Sequence, residues 1–152
     1  MQILDTFDPK TTEIFTQRIN QLTPESQPVW GKMNVAQMMA HLNVAYDITN
    51  GKKDPKYNMF TKFILKAFVK KIVVGDKPYK KNSQTGPLFL IADQREFEKE
   101  KELLLANILD HEKKGRSHFE GLENPGFGKL TAAEWNNLYA KHLEHHLSQF
   151  GV

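Results

Sequence analysis

His142 and His146 stand four residues apart in "KHLEHHLSQF", with His145 between them, so half of the chain's six histidines fall in five positions. On a helix, residues four apart project side by side, and two imidazoles at that spacing suit adjacent positions on one metal ion. With the helix drawn at about 100° per residue and Trp135 at zero, Tyr139, His142, His146 and Gln149 lie within about 40° and Leu138 within about 60°. The pair is therefore centred on the apolar stripe, while His145 sits on its flank. His41 shares a helical face with Asn34, Gln37, Ala45 and Ile48, with Met38 near its edge, and is the candidate third ligand. Three histidines would leave coordination positions for water or substrate, as an open site requires. Neutral imidazoles alone do not choose among zinc, nickel, iron, copper and manganese. The plainer alternative is that His145 and His146 complement the negative end of a helix dipole at the surface.

Four helices are expected to position these residues. Asp8-Pro9 resembles an N-cap followed by a first-turn proline, and Ile14, Phe15, Arg18 and Ile19 carry helical spacing to about residue 22. Asn34 with Gln37 reads as a capping box opening a helix over 35–49, which Asn50-Gly51 stops. Asp93 with Glu96 reads as a second box, for a helix over 94–113 that ends at Gly115. Thr131 with Glu134 is a third, opening 132–149, which Gly151 closes. Between these, Tyr57 to Val74 is an apolar run with Lys62, Lys66 and Lys70 four apart. "LFLIA" has the composition of a short strand without a partner, and Arg116 to Leu130 reads as a loop. The expected fold is all-α, a four-helix bundle with an additional basic amphipathic helix, in one domain over 1–152. Trp135, Leu138 and Met38 should face its interior.

The chain has 152 residues and no cysteine, which excludes disulfides, thiolate zinc sites and a cysteine nucleophile. Net charge is +3, yet ten lysines against Asp54 and Asp76 give the stretch from Lys52 to Lys81 a local +8, leaving −5 for the rest. Neither a signal-peptide pattern nor an apolar run of membrane-spanning length is evident, so a soluble, cytoplasmic protein is expected. The basic run could lie on an anionic membrane surface. The reading favoured from the sequence is that Phe60, Phe63, Ile64 and Phe68 bury against the bundle or in a homodimer while the lysines stay solvated. Nucleic acid is not an expected partner, because no recognition motif accompanies the lysines.

"WGKMNVAQMMAHL" (Trp30 to Leu42) and "FGKLTAAEWNNLYAKHLEHHLSQFGV" (Phe127 to Val152) resemble the DinB-like (YfiT-like) superfamily of metalloenzymes. More narrowly, they look like one of its uncharacterised, domain-of-unknown-function branches. The resemblance runs from about Phe7 to the end. It implies a four-helix bundle whose second helix supplies one metal-binding histidine and whose last helix supplies the pair, followed three residues on by a glutamine. Those positions are His41, His142, His146 and Gln149. Where such helices usually read histidine, arginine, glycine, glutamine, this chain has Leu147-Ser148, so no role of the arginine or glycine carries over.

What the resemblance implies about function is a metal-dependent S-transferase that uses a low-molecular-weight thiol such as bacillithiol, mycothiol or glutathione. The divalent transition metal (zinc, nickel, iron or manganese) would activate the thiol against a small-molecule electrophile. Met38, Trp135 and Tyr139 would then wall a cavity for that electrophile, and Gln149 or His145 would orient a ligand or water from behind the metal. Lys32 or lysines of the 52–81 segment would attract the thiol's carboxylates. Metal-assisted hydrolysis is the rival chemistry, but Glu144 falls on the far side of the helix and supplies no base. The other alternative is a non-catalytic binding module that uses the basic helix.

Overall fold

The computed structural model describes residues 3–152. Its principal elements are α1 (Pro9–Asn20), α2 (Val35–Thr49), the short α3 (Met59–Ile64) and α4 (Lys70–Val74), α5 (Phe97–Phe119) and α6 (Ala132–Gln149). A π-helical segment, Leu65–Val69, joins α3 to α4, and a 3₁₀ turn spans Pro87–Phe89. Strands β1 (Glu123–Asn124) and β2 (Gly128–Lys129) form an antiparallel pair of two residues each. The fold is all-α with a vestigial hairpin.

The helix starts follow local chemistry. Asp8 Oδ1 accepts from Lys10 N–H at 2.9 Å, and Pro9 occupies the first position, where a missing N–H forfeits no intrahelical bond. Asn34 Oδ1 accepts from Gln37 N–H at 2.9 Å while Gln37 Oε1 accepts from Asn34 N–H at 3.0 Å. Thr131 and Glu134 make the same reciprocal pair at 3.2 and 2.9 Å. Each box satisfies two backbone donors that the helix itself leaves free. The box expected at Asp93 and Glu96 does not form. Asp93 pairs instead with Arg95 Nε at 3.0 Å and its carbonyl accepts from Gln37 Nε2, so α5 begins later, without a side-chain cap.

The expected stop at Gly115 also needs correction. Gly115 leaves helical geometry with φ 68° and ψ 171°, but the chain then makes a further turn to Phe119. That turn carries Phe119 into the core, 2 % exposed, against Trp135 and Tyr139. The region expected to be loop up to Leu130 thus holds the end of α5 and the hairpin. At the other terminus Gly151, at φ 76°, closes α6 as expected: Val152 N–H reaches back to the Leu147 carbonyl at 3.1 Å.

α2 is buried on nearly its whole circumference from Val35 to Tyr46, the state of a helix apolar all round. It packs against α5 and α6, while α1 packs against the same two helices. Phe15, Ile19, Met38, Met39, Leu42, Leu104, Leu143 and Leu147 form the shared core. Truncating a fully buried leucine such as Leu147 to alanine should cost about 2–5 kcal/mol. Polar bonds fix the α2–α5 register: Asn43 donates to the Glu100 carboxylate at 3.0 Å and accepts from Asn107 at 3.0 Å.

Of the two burials expected for the basic segment, the one against the bundle does not occur within the chain. Phe60, Phe63 and Phe68 are 73, 63 and 64 % exposed, with Met59, Ile64 and Ile72 also on the surface. The π segment, Leu65–Val69, widens the helix by about one residue in a turn, and Phe60, Phe63 and Phe68 all lie on the solvent side of the stretch. The α4 end is anchored instead. Lys141, on α6 and fully buried, donates to the carbonyls of Ile72, Val73 and Gly75 at 2.6, 3.1 and 2.6 Å. A cation on the carbonyl end of a helix satisfies unpaired acceptors and opposes the dipole. Burial lowers its pKa to about 8, so it remains charged at neutral pH.

Candidate metal centre

His41 on α2 and His142 and His146 on α6 converge. Their ring centroids are 4.8 Å (His41 to His142), 4.5 Å (His41 to His146) and 5.0 Å (His142 to His146) apart. One ligand atom from each ring lies within 4.8 Å of the other two. His41 and His146 are buried, whereas His142 keeps part of its surface open.

Hydrogen bonds assign the tautomers of two rings. His41 Nδ1 lies 2.8 Å from the Phe89 carbonyl, which can only accept, so Nδ1 carries the proton and Nε2 the lone pair. His146 Nδ1 lies 2.8 Å from Gln149 Oε1, and Gln149 Nε2 donates to the Trp30 carbonyl at 2.7 Å. That second bond orients the amide with its oxygen toward His146, so His146 also presents an Nε2 lone pair. Rings whose far N–H is held by a carbonyl or amide oxygen are the form in which histidine ligates metals. His41 Nε2 is 2.8 Å from His142 Nε2. That is a hydrogen-bond distance, so His142 Nε2–H donates to the His41 lone pair. Tetrahedral ligands bound at about 2.1 Å would stand about 3.4 Å apart, so an ion would take the place of that proton and part the two rings slightly.

Electrostatics point the same way. Burial lowers the pKa of His146 to about 3, with the neighbouring His41 contributing. His142 is driven well below its ordinary value by burial, then by His41 and His146, and His41 is lowered mainly by burial against the opposing Phe89 bond. All three are neutral at pH 7, the protonation state a metal needs. The donor set and its environment therefore fit a divalent transition ion.

The other sequence candidates lie around this triad. Gln149 is buried and bonded to His146. His145 is outside the triad, edge-on to Trp30 and Tyr79 at 6.0 and 5.7 Å, with its pKa lowered by burial and by Lys81. Met38, three residues before His41, is fully buried. Tyr139 and Trp135 lie in the core, where Tyr139 stacks on Tyr46 at 4.5 Å and on Trp135 at 6.0 Å. Glu144 is held by Arg18 at 2.6 and 3.2 Å, away from the triad.

Sequence reasoning missed two supports. The Phe89 carbonyl reaches His41 from the 3₁₀ turn in the stretch read as a strand. The Val29–Gly31 segment latches the end of α6: Val29 N–H donates to the Gln149 carbonyl at 2.7 Å, and Gly31, at φ +86°, approaches so closely that a Cβ there would meet Gln149 Nε2 at 2.4 Å. Backbone acceptors leave no residue-type signature, but the glycine after Trp30 was a readable sign of close approach.

An all-α fold enclosing three converging imidazoles defines the class. A family model matches residues 6–151, and the chain belongs to that family, described as protein of unknown function (DUF1569). Comparisons with curated proteins and with solved structures give no match.

Proposed function

We propose that this chain is a metal-dependent enzyme of the DinB-like type, a four-helix bundle of α1, α2, α5 and α6 whose His41, His142 and His146 hold one divalent transition metal. The observation that carries this reading is the convergence of three neutral imidazoles, two with their outward N–H pinned by oxygens. The reaction it supports best is S-transfer from a low-molecular-weight thiol to a small hydrophobic electrophile. A metal held there would lower the pKa of an approaching thiol and make thiolate available near neutral pH. The transfer forms a sulfur–carbon bond, releases the leaving group with its electron pair and gives the thiol proton to solvent.

The chain's own residues supply positioning. The open side of His142 is the approach to the triad. Met38 and Tyr139 each lie about one turn from a proposed ligand and, with Trp135, are fully buried, so in this reading they would back the site from the core. Lys81, over the Trp30 ring at 4.2 Å, is the candidate for a thiol's carboxylate. Hydrolysis is disfavoured because Glu144 is committed to Arg18, and among the described residues the cluster that could hold a metal consists of histidines alone.

Protein purified without a nickel column should carry one divalent metal per chain by elemental analysis. His41→Ala, His142→Ala and His146→Ala should each lose it on dialysis, while His145→Ala and His111→Ala should keep it. Equal metal content across all five variants would refute the site. With metal retained, the absence of metal-dependent consumption of bacillithiol, mycothiol, glutathione and coenzyme A would refute S-transfer alone.

A further inference from the structure

We infer that α3 and α4, with the π segment between them, form a docking surface for an anionic lipid bilayer. Six large apolar residues on this stretch stand in solvent: Met59, Phe60, Phe63, Ile64, Phe68 and Ile72 are 88, 73, 63, 36, 64 and 64 % exposed. Isolated exposed apolar residues are ordinary, but six on one sixteen-residue stretch form a patch of the kind that marks an interaction site. Lys62, Lys66 and Lys71 are exposed among them, within the stretch that carries a local +8.

Charge decides the occupant. A second copy meeting this face through a two-fold axis would set Lys62, Lys66 and Lys71 of one chain against the same three of the other. An anionic bilayer supplies both an apolar interior for the phenylalanines and counter-charge for the lysines, the two requirements of a helix lying in the interface. Among the described residues no helix is long and apolar enough to cross a membrane, so the contact is with the surface. The orientation is fixed by the opposite side of the stretch. Lys70 pairs with Glu134 at 2.9 Å, Val74 is buried, and Lys141 holds the terminal carbonyls, so the apolar face points away from the body. This inference is independent of the metal.

The test is sedimentation of the full chain with vesicles of phosphatidylcholine, alone or with a quarter phosphatidylserine. The chain should bind only the mixed vesicles and be released by rising salt. Each lysine near an anionic surface contributes about 1 kcal/mol, roughly fivefold, so Lys62→Gln/Lys66→Gln/Lys71→Gln should weaken binding about hundredfold. Phe60→Ser/Phe68→Ser should reduce it to the phosphatidylcholine background without lowering thermal stability, since both rings are already exposed. Three results would overturn the inference. One is failure of the unmodified chain to bind the mixed vesicles, and another is binding indifferent to the phenylalanine pair. The third is a dimer in light scattering that the phenylalanine pair dissolves while vesicles remain unbound, which would make a second copy the occupant.

Discussion

Gln149→Leu isolates the contribution of a residue that touches no metal. Its amide oxygen accepts from His146 Nδ1–H at 2.8 Å and its nitrogen donates to Trp30 at 2.7 Å. Leucine keeps the bulk and removes both bonds. The His146 ring then loses the acceptor that fixes its tautomer and orientation, and removal of such a partner typically lowers metal affinity about 10–100-fold. Separately, the Trp30 carbonyl loses its donor, which should cost about 1–3 kcal/mol of stability. The two losses have different readouts. Competition with a chromophoric chelator measures affinity, and thermal unfolding of the chelator-treated protein measures stability. Gln149→Glu is the discriminating partner, because it keeps an acceptor for His146 while losing the donor to Trp30. Glutamate should retain affinity better than leucine while being similarly destabilised. If leucine and glutamate bind zinc as tightly as the unmodified chain, the Nδ1 bond does not tune the ligand and the assignment of His146 is wrong.

Three further outcomes follow from the same geometry. Gly31→Ala places a Cβ 2.4 Å from Gln149 Nε2 at φ +86°, so it should cost about 1–3 kcal/mol from backbone strain and weaken metal binding in the direction of Gln149→Leu by the same competition. Lys141→Met leaves carbonyls of the α4 end unpaired and should destabilise by about 3 kcal/mol, read by urea denaturation; a change under 0.5 kcal/mol would show that the ammonium is dispensable. His111 is buried, with Nδ1 unpartnered and its pKa lowered to about 3 by burial. Its unfolded form takes up a proton below about pH 6.5 and its folded form does not, so stability is full above that pH and falls as pH drops toward 3. This residue should contribute about 3 kcal/mol of loss between pH 7 and 4, and His111→Gln should flatten that part of the slope in urea titrations at each pH.

The legible parts of this chain are those in which a side chain acts on its own helix. Capping residues bond backbone three positions away, so Asn34–Gln37 and Thr131–Glu134 could be read directly, as could Gly151. Asp93–Glu96 has the same spacing and failed, because Arg95 takes the Asp93 carboxylate that would have capped the helix. The phase of α6 placed His142 and His146 on its inner stripe, since a fixed rotation per residue carries that information. For the basic stretch, spacing gave a common side for Phe60, Phe63, Ile64 and Phe68 but not the direction in which it faces, and in the chain it faces solvent. Lys141 was invisible too. A lysine in a helix ordinarily reads as solvated, and it is the three carbonyls at the end of α4, with the Tyr79 ring 4.6 Å from the ammonium, that make its burial tolerable.

What sequence could not supply is the outer support of the triad, and there the physics is asymmetric. A candidate imidazole ligand is a histidine by definition, so it declares itself by type and phase. Its orienting partner needs only an acceptor oxygen, which every residue's backbone carries, so Phe89 contributes through an atom common to the whole chain. Gln149 is the intermediate case. Its place three residues after His146 was visible, but whether its oxygen or nitrogen faces the ring depends on the Trp30 carbonyl, and that carbonyl arrives only because Gly31 permits a backbone approach that a Cβ would block. The nitrogens of this site are written in the helices, while the oxygens that decide which of those nitrogens are free to bind come from the connections. Changes in the Trp30–Gly31 and Pro87–Phe89 segments should therefore alter metal affinity with all three histidines intact, whereas substitutions on the outer face of α6 should not.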